Sequence, residues 1–187
     1  MQTTVVYLHG FRSTPQSRKG VVMREAWSDR FAYLAPDLNC SPTQVQPILL
    51  ETVKGLDPKS LVLVGSSLGG FYANWLAERI GCRAILLNPA TEPWTVINDY
   101  LGVQPITGTD RTIEVKPEFA WEAQAMVSEA SDPSRYFVVL CTGDEVLDWE
   151  KAHRKYAACE QLVIEGNTHE IVDFEKCIPA LEKFILR

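Results

Sequence analysis

Leu61-Val62-Leu63-Val64-Gly65-Ser66-Ser67-Leu68-Gly69-Gly70 joins four aliphatic residues directly to a Gly-x-Ser-x-Gly motif, and Phe71-Tyr72-Ala73-Asn74-Trp75-Leu76 follows. The run predicts a strand that ends in a sharp turn carrying a serine, with a helix beginning just beyond. The spacing follows from the chemistry. A serine hydroxyl attacks a carbonyl only when the turn lifts it clear of the backbone, and so tight a turn requires a residue without a Cβ on each side. The register is unambiguous, because Ser66 would need glycines where Val64 and Leu68 stand. Ser67 is therefore the candidate nucleophile. With Gly and Ser each at about 7% of residues, three fixed positions recur by chance in roughly 6% of chains this long. The strand pattern before the motif and the helical pattern after it carry the rest of the weight.

The 187 residues fit one domain, large enough to bury about 70% of the surface its unfolded chain exposes. Hydrophobic residues make up 46% and charged residues 22%, the balance of an ordinary globular protein. No apolar run approaches the ~18 residues of a membrane span, so no membrane insertion is expected. Met1-Gln2-Thr3-Thr4 has no basic region and leads straight into a strand pattern, which is unlike a secretory leader. The net charge of −6, without a basic cluster, argues against nucleic acid and anionic membranes as partners. The five cysteines, Cys40, Cys82, Cys141, Cys159 and Cys177, are odd in number, widely spaced and without a C-x-x-C pair. Small buried hydrophobes in a reducing cytoplasm fit them better than disulfides or zinc ligands.

Apolar runs alternate with helical patterns, which predicts an α/β fold with a mainly parallel sheet of about six strands and helices on both faces. The expected strands are 4–8, 31–35, 61–64, 83–87, 136–141 and 161–164. The expected helices are 18–29, 43–54, 71–80, 149–158 and 173–186, with Gly81 closing the third. Residues 91–135 break the alternation. No clear strand lies there, a helix is expected over 118–130 with Phe119, Ala123, Met126 and Val127 along one side, and the segment also holds Trp94, Tyr100 and Trp121. So long an excursion reads equally as a lid or pocket-lining element and as a packed connection.

A nucleophilic serine needs a base, an acid that orients the base, and two N–H donors for the oxyanion. On a fold of this kind the chain order is Ser, then Asp or Glu, then His. Only His153 and His169 follow a plausible acid. His153 sits in a charged helical pattern and suits a solvated helix face. His169 lies in the loop after the last strand, where α/β folds place their sites, and is the favoured base. The loop after strand 136–141 offers Asp144, Glu145 and Asp148. Asp144 leads, three residues past the strand, and Asp148 suits the cap of the following helix. The second oxyanion donor is expected from His9-Gly10-Phe11, so the pair is Phe11 N–H and Leu68 N–H, with His9 positioning the loop. The helix after Ser67 turns its positive end toward the developing charge. Neither order nor spacing calls for a metal or cofactor, and Gly65, Gly69 and Gly70 lack the Lys-Ser/Thr ending of a phosphate loop. Possible substrate contacts are Arg12, beside the oxyanion loop, and the aromatics Trp94 and Tyr100. A surface role for Arg12 and core roles for Trp94 and Tyr100 fit these residues as well.

Tyr7-Leu8-His9-Gly10-Phe11, Gly65-Ser66-Ser67-Leu68-Gly69-Gly70, Asn88-Pro89-Ala90, Asp99-Tyr100-Leu101-Gly102, Thr142-Gly143-Asp144-Glu145-Val146-Leu147-Asp148 and His169 together resemble the small bacterial esterases of the YqiA/YcfP family in the α/β-hydrolase superfamily. The resemblance spans nearly the whole chain and looks closest to the YqiA branch, which keeps the serine. Asp144 through Asp148 also resembles the Asp-x-Val-Val-Pro pattern that holds the acid in α/β-hydrolases, with Asp148 at the proline position. The resemblance implies cofactor-free hydrolysis of a small-molecule carboxylic ester or acyl thioester (acyl-CoA among them), with Ser67, Asp144 and His169 as the triad. The excursion and Glu170 depart from the family pattern, and both are expected to line or border the acyl pocket. Acyl transfer or amide cleavage would use the same triad. A non-catalytic binding protein on a hydrolase scaffold is the rival from another class.

Overall fold

Five consecutive buried residues, Thr4–Leu8, form the first strand, β1, of a computed structural model that describes residues 2–187. The elements then alternate: α1 (Arg18–Trp27), β2 (Ala32–Leu34), α2 (Pro42–Thr52), β3 (Leu61–Ser66), α3 (Leu68–Ile80) and β4 (Arg83–Leu87). After the excursion come β7 (Tyr136–Cys141), α5 (Trp149–Lys155), β8 (Glu160–Ile164) and α6 (Ile178–Ile185). The six strands form one parallel sheet in the order β2-β1-β3-β4-β7-β8.

The central strands are buried on both faces, which is why they read as unbroken hydrophobic runs. Alternate side chains serve opposite layers. Val6, Leu8, Leu61, Leu63, Leu86 and Val138 pack on the side of α2 and α3. Val5, Tyr7, Val62, Val64, Ile85 and Val139 pack on the side of α1 and α6. Each such side chain contributes about 1.5–3 kcal/mol through burial. The sheet order reverses direction between β1 and β3. The loops leaving these two strands diverge there, and parallel α/β sheets place their sites in that crevice.

Three expectations need correction. The excursion does contain strands: β5 (Gly102–Pro105) and β6 (Thr112–Val115) pair as an antiparallel hairpin. They are only four residues each, and β6 alternates exposed and buried residues, so neither presents an apolar run. The helix expected over 118–130 ends early, as α4 (Glu118–Gln124). Beyond it Met126 is buried but Val127 is 44% exposed, and the Ser128 carbonyl is taken by Asn74 Nδ2 at 2.7 Å. The last helix begins at Ile178 rather than near 173. Asp173 stands at φ 59°, outside helical space, and only a short 3₁₀ turn over Phe174–Cys177 precedes the Pro179 that opens α6.

Candidate active site

The serine turn is built from backbone contacts with no space to spare. Ser67 sits at φ 55° and ψ −118°, a conformation that costs about 1–3 kcal/mol and persists only when its surroundings enforce it. Ser67 N donates to Leu87 O at 3.0 Å, while Ser67 O accepts from Gly70 N at 2.9 Å and from Ala90 N at 3.0 Å. A Cβ on Gly65 would stand 2.2 Å from Gly69 O, and one on Gly69 would stand 2.0 Å from Leu8 O. Those clashes are the physical content of the Gly-x-Ser-x-Gly spacing. The Ser67 side chain makes no capping bond to α3. Its hydroxyl is left free at the helix's positive end.

The loops after β7 and β8 meet. Asp144 Oδ2 lies 2.7 Å from His169 Nδ1, and the Asp144 side chain is 1% exposed. Asp144 Oδ1 accepts from Val146 N and Leu147 N, both at 2.8 Å, so the carboxylate is oriented by three donors. Because a carboxylate only accepts, His169 carries a proton on Nδ1, so its neutral tautomer has the lone pair on Nε2. Glu145, the third-ranked acid, accepts from His169 N at 3.0 Å and so fixes the loop backbone. Asp148 caps α5, accepting from Glu150 N at 3.0 Å. His153 bonds Gln161 on the exposed side of α5.

Asn88 connects these pieces. It follows β4, is 3% exposed and adopts φ 41°. Its Nδ2 donates to His169 O at 3.0 Å and Thr168 O at 3.3 Å, while its Oδ1 accepts from Cys141 N at 2.9 Å. It thus ties the strand leading to Asp144 to the loop bearing His169, one residue from the Leu87 carbonyl that holds Ser67. No direct Ser67 Oγ to His169 hydrogen bond is formed among the described residues; such bonds commonly tighten only with substrate in place. The Asn88-Pro89-Ala90 stretch stood out in the sequence only through resemblance. The signal for a role of its own was a polar residue directly after the apolar run Ala84-Ile85-Leu86-Leu87.

His9 holds the opposite loop. Its Nδ1 bonds Gly10 O at 2.8 Å and its Nε2 accepts from Leu38 N at 2.9 Å. Burial pushes its pKa down, more than the nearby Gly10 carbonyl and Asp37 push it up, so the ring stays neutral and can accept from Leu38. Phe11 N and Leu68 N take no carbonyl partner among the turn and loop hydrogen bonds.

A cavity of about 320 Å³ opens at Ser67, and Gly10, Phe11 and Leu68 belong to its wall. Tyr100, Ile113 and Val115 bring the excursion to the same wall. Asp144 and His169 are not part of it. Arg12 and Trp94 also lie outside. Arg12 Nη1 donates to Gln104 Oε1 at 3.0 Å, with its guanidinium 5.8 Å from the centres of both the Phe11 and Tyr100 rings. Trp94 packs edge-on against Phe71 at 6.2 Å. Glu170 does not border the cavity either: its carboxylate pairs with the buried Lys19 at 2.8 Å, and Lys19 also donates to Glu170 O at 3.0 Å. Sequence reading missed Ile113 and Val115, whose signal was the short alternation Thr112-Ile113-Glu114-Val115. Among the described residues no group of three or more His, Cys, Asp or Glu is placed to hold a metal ion. Among the described residues no helix is long and apolar enough to cross a membrane.

Solved structures share this fold. Est1E from Butyrivibrio proteoclasticus, solved with ferulic acid bound, is similar over 98% of this chain and 88% of its own, at TM-score 0.73 and 18% identity. Mouse alpha/beta hydrolase domain-containing protein 10 matches over 97% and 89%, at TM-score 0.70 and 17% identity. Carboxylesterase CesB from Bacillus subtilis matches over 98% and 84%, at TM-score 0.66 and 14% identity. At these identities the likeness is one of fold. A UPF0227 protein of Shewanella woodyi (strain ATCC 51908 / MS32) is 23% identical over 190 residues, covering 96% of this chain and 98% of that protein. The model of the uncharacterised protein family UPF0227 matches residues 4–186, in agreement with the YqiA-type resemblance, and the chain belongs to that family.

Proposed function

We propose that this chain is a serine hydrolase that cleaves carboxylic esters or acyl thioesters through Ser67, His169 and Asp144. The observation that carries the reading is the 2.7 Å pair of His169 Nδ1 and Asp144 Oδ2, on loops at the carboxyl ends of strands of the same parallel sheet whose β3 leads into the strained, uncapped Ser67. In this reading Ser67 Oγ attacks the acyl carbonyl carbon as His169 Nε2 takes its proton. The N–H groups of Phe11 and Leu68 hold the resulting oxyanion, each donor contributing about 3 kcal/mol to lowering the barrier. Collapse expels the alcohol or thiol, which receives the proton from His169. Water, deprotonated by the same ring, then attacks the acyl-enzyme, releases the carboxylic acid and restores Ser67. Asp144 keeps the ring in its tautomer and stabilises the transient imidazolium. The chain acts as one domain in the cytoplasm, with residues 91–135 supplying one wall of the acyl site.

Hydrolysis of p-nitrophenyl acetate, butyrate and octanoate by the parent, Ser67→Ala and His169→Ala tests the reading. The parent turns over at least one ester, and each variant loses at least about 10³-fold in kcat. A folded parent inert toward esters and acyl thioesters alike would instead favour a binding protein on this scaffold.

A further inference from the structure

Tyr72 lies five residues beyond Ser67, about 7.5 Å further along α3 at 1.5 Å per residue. Its side chain is only 2% exposed and lines the cavity that opens at Ser67. Other tyrosines, buried or half-buried, use their hydroxyls within the chain: Tyr7 on Ser17 at 2.9 Å, Tyr33 on Gly20 O at 3.1 Å, and Tyr136 on Glu78. Tyr72 has no such partner. Tyr156 has none either, but it does not line the cavity. Among the described residues Asn74 Oδ1 is the one fully sealed side-chain polar atom without a hydrogen bond. The Tyr72 hydroxyl is therefore not sealed, and Tyr72 belongs to the cavity wall. A donor held in apolar surroundings without a partner is costly, and a ligand oxygen placed against it relieves that cost.

The surroundings define the oxygen. Burial, with the Cys40 thiol and the Glu122 carboxylate adding to it, pushes the Tyr72 pKa up, so the phenol is a neutral donor. The Glu122 charge opposes a second anion there. Of the charged groups on the cavity wall, Lys151 pairs with Glu92 at 2.9 Å and Asp148 caps α5, which leaves no unpaired cation to receive a carboxylate. We propose that Tyr72 sets the specificity of this cavity by hydrogen-bonding a neutral oxygen, a hydroxyl or carbonyl, on the aliphatic chain of the substrate. The preferred substrates are then hydroxy- or oxo-substituted acyl esters or thioesters rather than plain fatty acyl or dicarboxylic ones. This rests on the hydrolase reading of Ser67, which places the acyl chain in the cavity.

The test compares kcat/KM for the p-nitrophenyl esters of octanoate, of 6-, 7- and 8-hydroxyoctanoate, and of the monoester of suberate, in the parent and in Tyr72→Phe. At least one hydroxylated ester exceeds octanoate by about 5-fold in the parent, as one net hydrogen bond predicts. That ratio falls to about one in Tyr72→Phe, and the suberate ester shows no advantage. A ratio near one in the parent, a raised ratio that survives Tyr72→Phe, or a lead for the suberate ester each overturns the proposal. Calorimetric binding of octanamide and its 6-, 7- and 8-hydroxy analogues to Ser67→Ala and to Ser67→Ala/Tyr72→Phe repeats the comparison without turnover. A parent that hydrolyses no ester, with the calorimetric ratio still dependent on Tyr72, removes the hydrolase reading and leaves the subsite standing. The same ratio of about one in both proteins removes the subsite.

Discussion

The serine turn and the β5–β6 hairpin face the same cavity but are held in opposite ways. The turn is fixed by backbone meeting backbone: Gly65 and Gly69 sit where a Cβ would come within 2.2 and 2.0 Å of a carbonyl oxygen. The hairpin is moored mainly by side chains, Arg12 to Gln104 and Arg111 to Asp37, with one backbone bond from Thr107 N to Arg12 O at 2.8 Å, over a small apolar cluster of Ile106, Ile113 and Val115, and Val103 on β5 is 67% exposed. One region therefore tolerates no added atom, while the other accepts new side chains as long as its few moorings remain. On the proposed function, chemistry and substrate choice are thereby separated in the chain, and the wall over the cavity can change without disturbing Ser67.

The comparison breaks most visibly at paired glycines. Gly69→Ala is expected to cost more than about 4 kcal/mol, because backbone must move to admit the methyl group, and to abolish soluble expression or lower the unfolding midpoint sharply. Gly108→Ala in the hairpin meets nothing within 4 Å and pays only for its φ of +76°, about 1 kcal/mol. Equal effects of the two substitutions, measured by thermal unfolding, would contradict the distinction.

Asn88 comes next. Asn88→Ala leaves Cys141 N without its acceptor in a buried setting, for an expected loss of about 2 kcal/mol in stability. It also frees the His169 loop, lowering kcat about 100-fold with little change in KM, since a small misplacement of a catalytic group is that costly. Asn88→Asp keeps the acceptor for Cys141 N but not the donor to His169 O. Recovery of the stability without recovery of kcat would mark Asn88 as a positioning residue rather than a merely structural one.

A smaller effect is expected at the hairpin's mooring. Arg111→Ala should leave the unfolding midpoint nearly unchanged and raise KM for octanoyl esters a few-fold, with kcat on acetyl esters little affected. Its stability effect also depends on pH. Burial pushes the Asp37 pKa up, but the hydrogen bonds from Arg111 and Asn39 outweigh it and hold the group at about 2, against 3.8 unperturbed. A depressed carboxyl pKa stabilises above the unfolded value and is lost on descending through the folded one. Any stability difference between parent and Arg111→Ala should thus hold at pH 5 and fall away between about pH 4 and about pH 1. A difference as large at pH 2 as at pH 5 would show that the mooring does not depend on Asp37.

What could be read from sequence follows the same division. The parallel sheet and the serine turn were legible because steric limits act on residues close in sequence: a both-faces-buried strand must be apolar, and the turn must be flanked by glycine. Asp144 and His169 were picked out by chain order and strand-end position, and the structure sets them in contact. The hairpin was not legible, since four-residue strands with one buried face give only Ile113 and Val115 as signal. Nor was the linking role of Asn88, which depends on β4 lying beside β7 and so on contacts 53 and 81 residues away in sequence. Arg12 looked available for a substrate contact because its partner, Gln104, lies 92 residues further on.

The central claim is that Ser67 is the attacking residue and that His169 and Asp144 make it one. A fluorophosphonate that phosphonylates activated serines, followed by peptide mass spectrometry, tests it most directly. The parent should carry a single adduct on the peptide containing Ser67. Ser67→Ala should carry none, and Asp144→Asn should label far more slowly while remaining folded. A folded parent left unmodified, or one modified at a serine other than Ser67, would contradict the account.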